Sequence, residues 1–174
     1  DNHFWVRRAM HSFIVDNPLN TVDYAKEIQP HLFCSVPRIY EKIYSNFIAA
    51  IENKAVLRFG LNIPILSGIF KKKLKEAAGF GDLKFAISGA APINPDILAL
   101  FQKLEIPLFE GYGMTENTAG ATLNYLGHNK IGSVGKALPN TEIKIANDGE
   151  VMILGDHITV SYTHLTLPTT HGGC

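Results

Sequence analysis

An excess of charge of either sign is missing from these 174 residues. Sixteen Lys and Arg stand against sixteen Asp and Glu, and charged residues make up only 18% of the chain. That balance excludes a basic nucleic-acid-binding arm and an acidic disordered segment, and no nucleic-acid partner is expected. Cysteine is scarce: Cys34 and Cys174 make no disulfide framework, so a reducing, cytoplasmic compartment is expected. Long apolar runs are absent too. The longest weakly polar stretch, Phe59 to Phe70, is broken by Asn62 and Pro64 and falls far short of the roughly 20 residues of a membrane helix. The first residues, Asp1-Asn2-His3 with Arg7 and Arg8 close behind, lack both the apolar core of a signal peptide and an initiating Met, so the chain reads as an excerpt. No internal repeat stands out. What is present is 46% apolar residues, enough for one domain with a substantial core.

Little can be read from residues 1 to 29. Leu32 to Val36 is a short apolar run ending at Pro37, the pattern of a buried strand in which Cys34 is inert packing. Ser35 and Pro37 then open a helix from Arg38 to about Lys54, with Ile39, Ile43, Phe47 and Ile51 on one face. Residues 55 to 81 end in the basic patch Lys71-Lys72-Lys73-Leu74-Lys75, read as a solvated helix face; with the stretch Gly60 to Phe70 it also suits peripheral contact with an anionic bilayer. The centre is clearer. Leu83 to Ser88 is a strand, Asn94 an N-cap followed by Pro95 and Asp96, and Ile97, Leu98, Leu100, Phe101 and Leu104 supply the buried stripe of a helix ending near Glu105. Ile106 to Phe109 is the next strand. Strand, helix and strand within about 30 residues is the βαβ signature of a parallel sheet. Thr141 to Ala146 and Val151 onward alternate about Asn147-Asp148-Gly149, a small antiparallel hairpin beside that sheet. The fold class is therefore α/β.

In open α/β sheets ligands bind at the carboxyl ends of strands. Two segments of small residues fall there: Ser88-Gly89-Ala90-Ala91-Pro92, and Gly111-Tyr112-Gly113-Met114-Thr115-Glu116. Small side chains at 89 to 91 let main chain approach a flat ligand. Gly111 and Gly113 permit backbone angles closed to other residues, and Tyr112 offers an aromatic face. Thr115 can donate to a phosphoryl oxygen, and Glu116 can hold a hard cation such as Mg²⁺. Taken singly, each segment reads equally as a glycine-bearing βα turn, with Tyr112 in the core and Glu116 in solvent.

Together, Ser88 to Pro92 followed by Glu110 to Glu116 resemble the adenylate-forming superfamily of AMP-dependent synthetases and ligases. Ile131-Gly132-Ser133-Val134-Gly135-Lys136-Ala137-Leu138-Pro139, then Glu142 to Ile145 and Asp148 to Val151, extend the match in the family's order. Gln29-Pro30-His31 and Val36-Pro37-Arg38-Ile39-Tyr40-Glu41-Lys42-Ile43 are similar to its long-chain fatty acyl-CoA synthetase branch. The resemblance implies a ligase that joins a fatty acid to coenzyme A through an acyl-adenylate, using ATP and Mg²⁺. It implies that ATP or AMP lies along Ser88, Gly89, Ala90, Ala91, Pro92 and Glu110, Gly111, Tyr112, Gly113, Met114, with Thr115 on the α-phosphate and Glu116 placing Mg²⁺.

The departures carry equal weight. The family's Ser/Thr/Gly-rich phosphate loop with its Lys has no counterpart here. After Gly149-Glu150-Val151 the family reads Arg-Gly, then Gly-Tyr, then a ribose-binding Asp; here Leu154-Gly155 and Ser161-Tyr162 stand in the first two places. Residues 1–162 are thus expected to be part of an AMP-binding domain, inactive alone, and 163–174 an atypical tail that need not be native sequence. His157, His164 and His171 recur every seven residues without the close pairs of a metal site. An acyl-AMP ligase serving a carrier protein, and a non-catalytic nucleotide-binding module, are the competing readings. Acyl length and oligomeric state are not legible.

Overall fold

The computed structural model describes residues 11–53 and 64–158. Two compact units divide the chain: Asp1–His31 with Asn46–Leu83, and Leu32–Ser45 with Lys84–Cys174.

The second unit contains the sheet. Strands β1 (Leu32–Ser35), β2 (Phe85–Ser88) and β3 (Leu108–Tyr112) run parallel, and β4 (Thr122–Leu123) and β5 (Lys136–Ala137) continue the sheet antiparallel, in the order β1-β2-β3-β4-β5. The fold is α/β, as the sequence pattern predicts. Register puts Phe33 beside Ala86 and Ala86 beside Leu108, and lines up Ser35, Ser88 and Glu110 at the carboxyl ends of the same face. The aromatic residues Tyr40 and Phe101 close that face. Tyr40 meets Phe33 and Phe101 edge-on, with ring centroids 5.8 and 6.0 Å apart, a geometry favoured by ring quadrupoles. Parallel sheets are normally covered on both faces. The opposite face of this one stays partly open: Leu32, Phe85 and Ile87 are half-buried and Cys34 is exposed, while Phe109 is buried in a stack with Phe85. Cys34 is therefore not the inert packing its apolar run predicts, because it occupies the uncovered face of the edge strand; partial desolvation still pushes its thiol pKa up.

Helix α2 (Pro37–Asn53) starts at Pro37, one residue ahead of Arg38. Its buried positions are Tyr40, Ile43 and Phe47, while Ile39 and Ile51 are half-buried. The helix of the βαβ unit, α4 (Pro95–Lys103), is capped as its residues dictate: the Asn94 side chain accepts from the Asp96 N–H at 2.8 Å and Pro95 occupies the first turn. Ile97, Leu98 and Phe101 are its buried side chains. The following strand lies further along than Ile106 to Phe109. Pro107 has no N–H to give a ladder, and Glu105 takes φ 58° with the Ile106 N–H turned back to the Phe101 carbonyl, so pairing begins only at Leu108. β2 is likewise shorter than Leu83 to Ser88. The hairpin is present as β6 (Thr141–Ile145) and β7 (Val151–Gly155), with Ile143 opposite Ile153 and Gly149 at φ 92° in its turn.

In the first unit, a one-turn 3₁₀ helix (Pro18–Asn20) leads into α1 (Thr21–Ile28), which the sequence pattern did not reveal, and α3 spans Pro64–Ala77. Among the described residues, Val22, Ala25, Phe47, Leu74, Ala78 and Phe80 are its buried apolar side chains. The Gln29 side chain ties α1 to the end of α3: its Nε2 donates to the carbonyls of Lys26 (3.0 Å) and Glu76 (3.3 Å), and its Oε1 accepts from the Gly81 N–H (2.9 Å). Among the described residues no helix is long and apolar enough to cross a membrane. The atypical segment 163–174 lies outside the described residues.

Candidate functional site

The carboxyl ends of β2 and β3 carry the candidate residues. Ser88 ends β2 and is paired in register with Glu110 of β3. Both are buried, at 1% and 8% exposure, and neither the Ser88 hydroxyl nor Glu110 Oε2 has a hydrogen-bond partner. A buried polar atom left unpaired costs about 1–3 kcal/mol, and these two stand side by side in register. Beyond Ser88 the chain leaves the sheet. The Gly89 N–H donates to the Ser35 carbonyl at 3.3 Å, and a Cβ placed on Gly89 would stand 3.6 Å from the Gly111 carbonyl oxygen. The two predicted segments therefore meet, main chain against main chain, at residues 89 and 111. Ala90, Ala91 and Pro92 follow as an exposed edge.

The second segment departs from expectation in two ways. Gly111 and Tyr112 belong to β3 itself, with Tyr112 half-buried on the face that holds Glu110. The chain then enters a 3₁₀ turn, Thr115–Asn117, and antiparallel strands rather than a helix, so this is not a βα turn. Nor do Gly89, Gly111 or Gly113 use positive φ; the left-handed residues here are Ala90 (69°), Thr118 (57°) and Ala119 (64°). Glycine is needed at 113 for space: a Cβ there would lie 2.2 Å from the Ala119 carbonyl oxygen.

Two asparagines that sequence reading missed hold this arrangement. Asn117 is 1% exposed, and its Oδ1 accepts from the Met114 N–H at 2.9 Å, closing the turn that presents Thr115 and Glu116 to solvent. Asn124, also 1% exposed, donates its N–H to the Glu110 carbonyl at 2.9 Å. Its side chain accepts from the Lys130 N–H at 3.1 Å and donates to the Ser133 carbonyl. The Thr122 hydroxyl donates to the Val134 carbonyl at 2.6 Å, so the glycine-bearing loop 131–135 is pinned to the strand beside β3. The Thr118 hydroxyl donates to the His157 carbonyl at 2.9 Å and joins the Thr115–Asn117 turn to the hairpin exit. The only signal for these roles was the alternation of polar Thr122 and Asn124 with Ala121 and Leu123, which reads equally as surface.

Tyr40 supports the same end of the sheet from below. Its hydroxyl lies 3.0 Å from the Phe33 carbonyl and 2.9 Å from that of Ile87, sharing one proton between β1 and β2 just before Ser88. Desolvation by burial, with a smaller contribution from nearby Cys34, holds the phenol well above its ordinary pKa. Of the spaced histidines only His157 is described, and among the described residues no cluster of three His, Cys, Asp or Glu could hold a metal ion.

A mixed sheet with two converging small-residue segments at its carboxyl ends, flanked by an antiparallel hairpin, is the pattern of the large domain of adenylate-forming enzymes. The chain belongs to the AMP-binding enzyme family, whose profile matches residues 5–162. It is 31% identical over 164 residues to fadD11 of Mycobacterium tuberculosis, covering 78% of this chain and 29% of that protein. With the long-chain-fatty-acid–CoA ligase FadD15 of Mycobacterium bovis it shares 28% over 166 residues, covering 82% and 28%. It thus spans less than a third of the length of these relatives. Among solved structures, the A-PCP didomain of the carboxylic acid reductase from Segniliparus rugosus, in complex with AMP, superposes with a TM-score of 0.54 at 20% identity, over 84% of this chain and 21% of that one. The anthranilate CoA ligase AuaEII in complex with anthranoyl-AMP gives 0.52 at 16%, over 80% and 24%. These two establish likeness of fold.

Proposed function

We propose that the polypeptide carrying this sequence is an ATP-dependent, AMP-forming long-chain fatty acid–CoA ligase. Residues 1–162 form part of its adenylation domain, and 163–174 an atypical tail. In the first half-reaction a carboxylate oxygen of the fatty acid attacks the α-phosphorus of ATP, the bond to the bridging oxygen breaks, and pyrophosphate leaves. In the second, coenzyme A sulfur attacks the acyl carbon, its thiol proton is lost, and AMP departs.

The observation that carries the reading is the meeting of residues 89 and 111, next in sequence to the unpartnered Ser88 hydroxyl and Glu110 Oε2. Main chain without bulk, beside the half-buried Tyr112 ring, suits a flat purine. Glu110 is an acceptor, which suits the amino group of adenine and not a phosphate. Thr115 and Glu116 are exposed on a turn closed by Asn117, which leaves both side chains open to the phosphates of a bound nucleotide. Glu116 as a lone exposed carboxylate fits Mg²⁺ that arrives with ATP, since this ion is usually held by one or two carboxylates, substrate phosphates and water. Bound there, the ion would neutralise charge on the phosphates. The fatty-acid substrate rests on the names of relatives such as FadD15 and on the Val36-to-Ile43 motif.

ATP–pyrophosphate exchange with palmitate tests this. In the full polypeptide Thr115→Ala and Glu116→Gln are expected to lower exchange about 10²–10³-fold with the circular dichroism spectrum unchanged. The 174-residue stretch alone is expected to show none, because phosphate-binding groups act as a unit. Near-normal exchange in both variants would overturn the site.

A further inference from the structure

We infer that the outer face of α3 is a docking surface for an anionic lipid bilayer. The sequence shows a basic run; the structure shows how the run is displayed. Leu74 and Ala78 are buried at 5% and 7% exposure and fix the inner side of the helix. Gly68, Ile69, Lys72, Lys73, Glu76 and Ala77 are exposed. At about 3.6 residues per turn these six positions fall on one half of the circumference. Ile69 and Glu76 occupy its middle, with Lys72 and Lys73 on either side of Ile69. Ile69 stands 56% exposed between two lysines, an apolar centre within a basic face.

Charge complementarity selects the occupant. Within residues 71–76, Lys71, Lys72, Lys73 and Lys75 stand against Glu76 alone. Lys72 lies 3.8 Å from Glu76, but with side chains 77% and 51% exposed this pair neutralises little in water. Lys75 is half-buried at one margin of the face, the position from which a long side chain extends to an interface. A basic helix face with an apolar centre lies in the plane of a membrane, its apolar side chain reaching the boundary of headgroups and acyl chains. The apolar contact is Ile69 itself; Phe70 is half-buried, and Gly60 to Ile63 lie outside the described residues. This inference concerns the surface alone and stands apart from the choice of acyl substrate.

The experiment is co-sedimentation of the full polypeptide with phosphatidylcholine vesicles, with and without phosphatidylserine, at low and high salt. Binding is expected only with phosphatidylserine and is expected to weaken with salt. Lys72→Gln with Lys73→Gln should lower partitioning roughly 25-fold, at about fivefold per lysine. Ile69→Ser should lower it about fivefold or more, and Glu76→Gln should raise it. All four side chains are exposed, so circular dichroism should not change. Wild-type protein that ignores phosphatidylserine, or lysine variants that bind like wild type, would overturn the inference. So would loss of binding on lysine replacement with no effect of Ile69→Ser, since that pattern describes attraction to any polyanion, including an acidic protein.

Discussion

The loops that leave β2 and β3 are built from similar residues and solve different problems. After β2, Gly89 keeps an ordinary φ and the left-handed angle falls to Ala90 at 69°. A Cβ at Gly89 would stand 3.6 Å from the Gly111 carbonyl oxygen, an ordinary contact that displaces nothing. After β3, Gly113 also keeps an ordinary φ, yet a Cβ there would overlap the backbone of Ala119 and Gly120 at 2.2–2.7 Å. One glycine could take a side-chain carbon without a clash, and the other leaves room for the chain itself. Glycine in a motif therefore states neither an angle nor a ligand until its neighbours are known.

A graded series of substitutions in the full polypeptide can break this comparison. Gly113→Ala should be the most damaging, destabilising by about 3 kcal/mol or more because backbone must move, with the Thr115–Glu116 turn lost; a denaturant midpoint near wild type would show that the turn yields. Ala90→Val should follow at about 2 kcal/mol, since a β-branched residue is strained at positive φ, and an unchanged melting temperature would refute the assigned angle. Gly111→Ala and Gly89→Ala form the sharpest pair. Gly111→Ala places a Cβ 3.1 Å from Leu123 Cδ1 and should cost about 1 kcal/mol. Gly89→Ala should change stability by no more than about 0.5 kcal/mol and instead weaken AMP binding, read by calorimetry. Equal AMP affinity in Gly89→Ala and wild type would remove the cradle.

The legible parts were those in which one local rule decides alone. Asn94 and Pro95 start a helix wherever they stand before an apolar stripe, and Asp148-Gly149 turns a chain between alternating runs. α1 was missed although Asp23 lies in its first turn and Lys26 in its last, because Val22 and Ala25 are too sparse a stripe to rise above a polar background. β4 and β5 are two residues each, shorter than any periodicity can register; they exist because β3 offers an edge and Asn124 and Thr122 tie down the loop between them. Within the site, the pairing of residues 89 and 111 follows from strand register. That Ser88 Oγ and Glu110 Oε2 are buried without partners could not be read, since a serine and a glutamate following apolar runs give no sign of what lies opposite.

The hairpin β6–β7 holds a further consequence. Val151, Met152, Ile153 and Leu154 put apolar side chains on both faces of β7, and Val151, Met152 and Leu154 are exposed. A strand with apolar side chains on both faces specifies its own register only weakly. The alignment of Ile143 with Ile153 is therefore held mainly by the turn, where Asp148 Oδ1 accepts from the Glu150 N–H at 3.1 Å and Gly149 sits at φ 92°. Those two residues act as a ratchet pawl: their backbone geometry, and not the side chains along the strands, decides which way β7 faces.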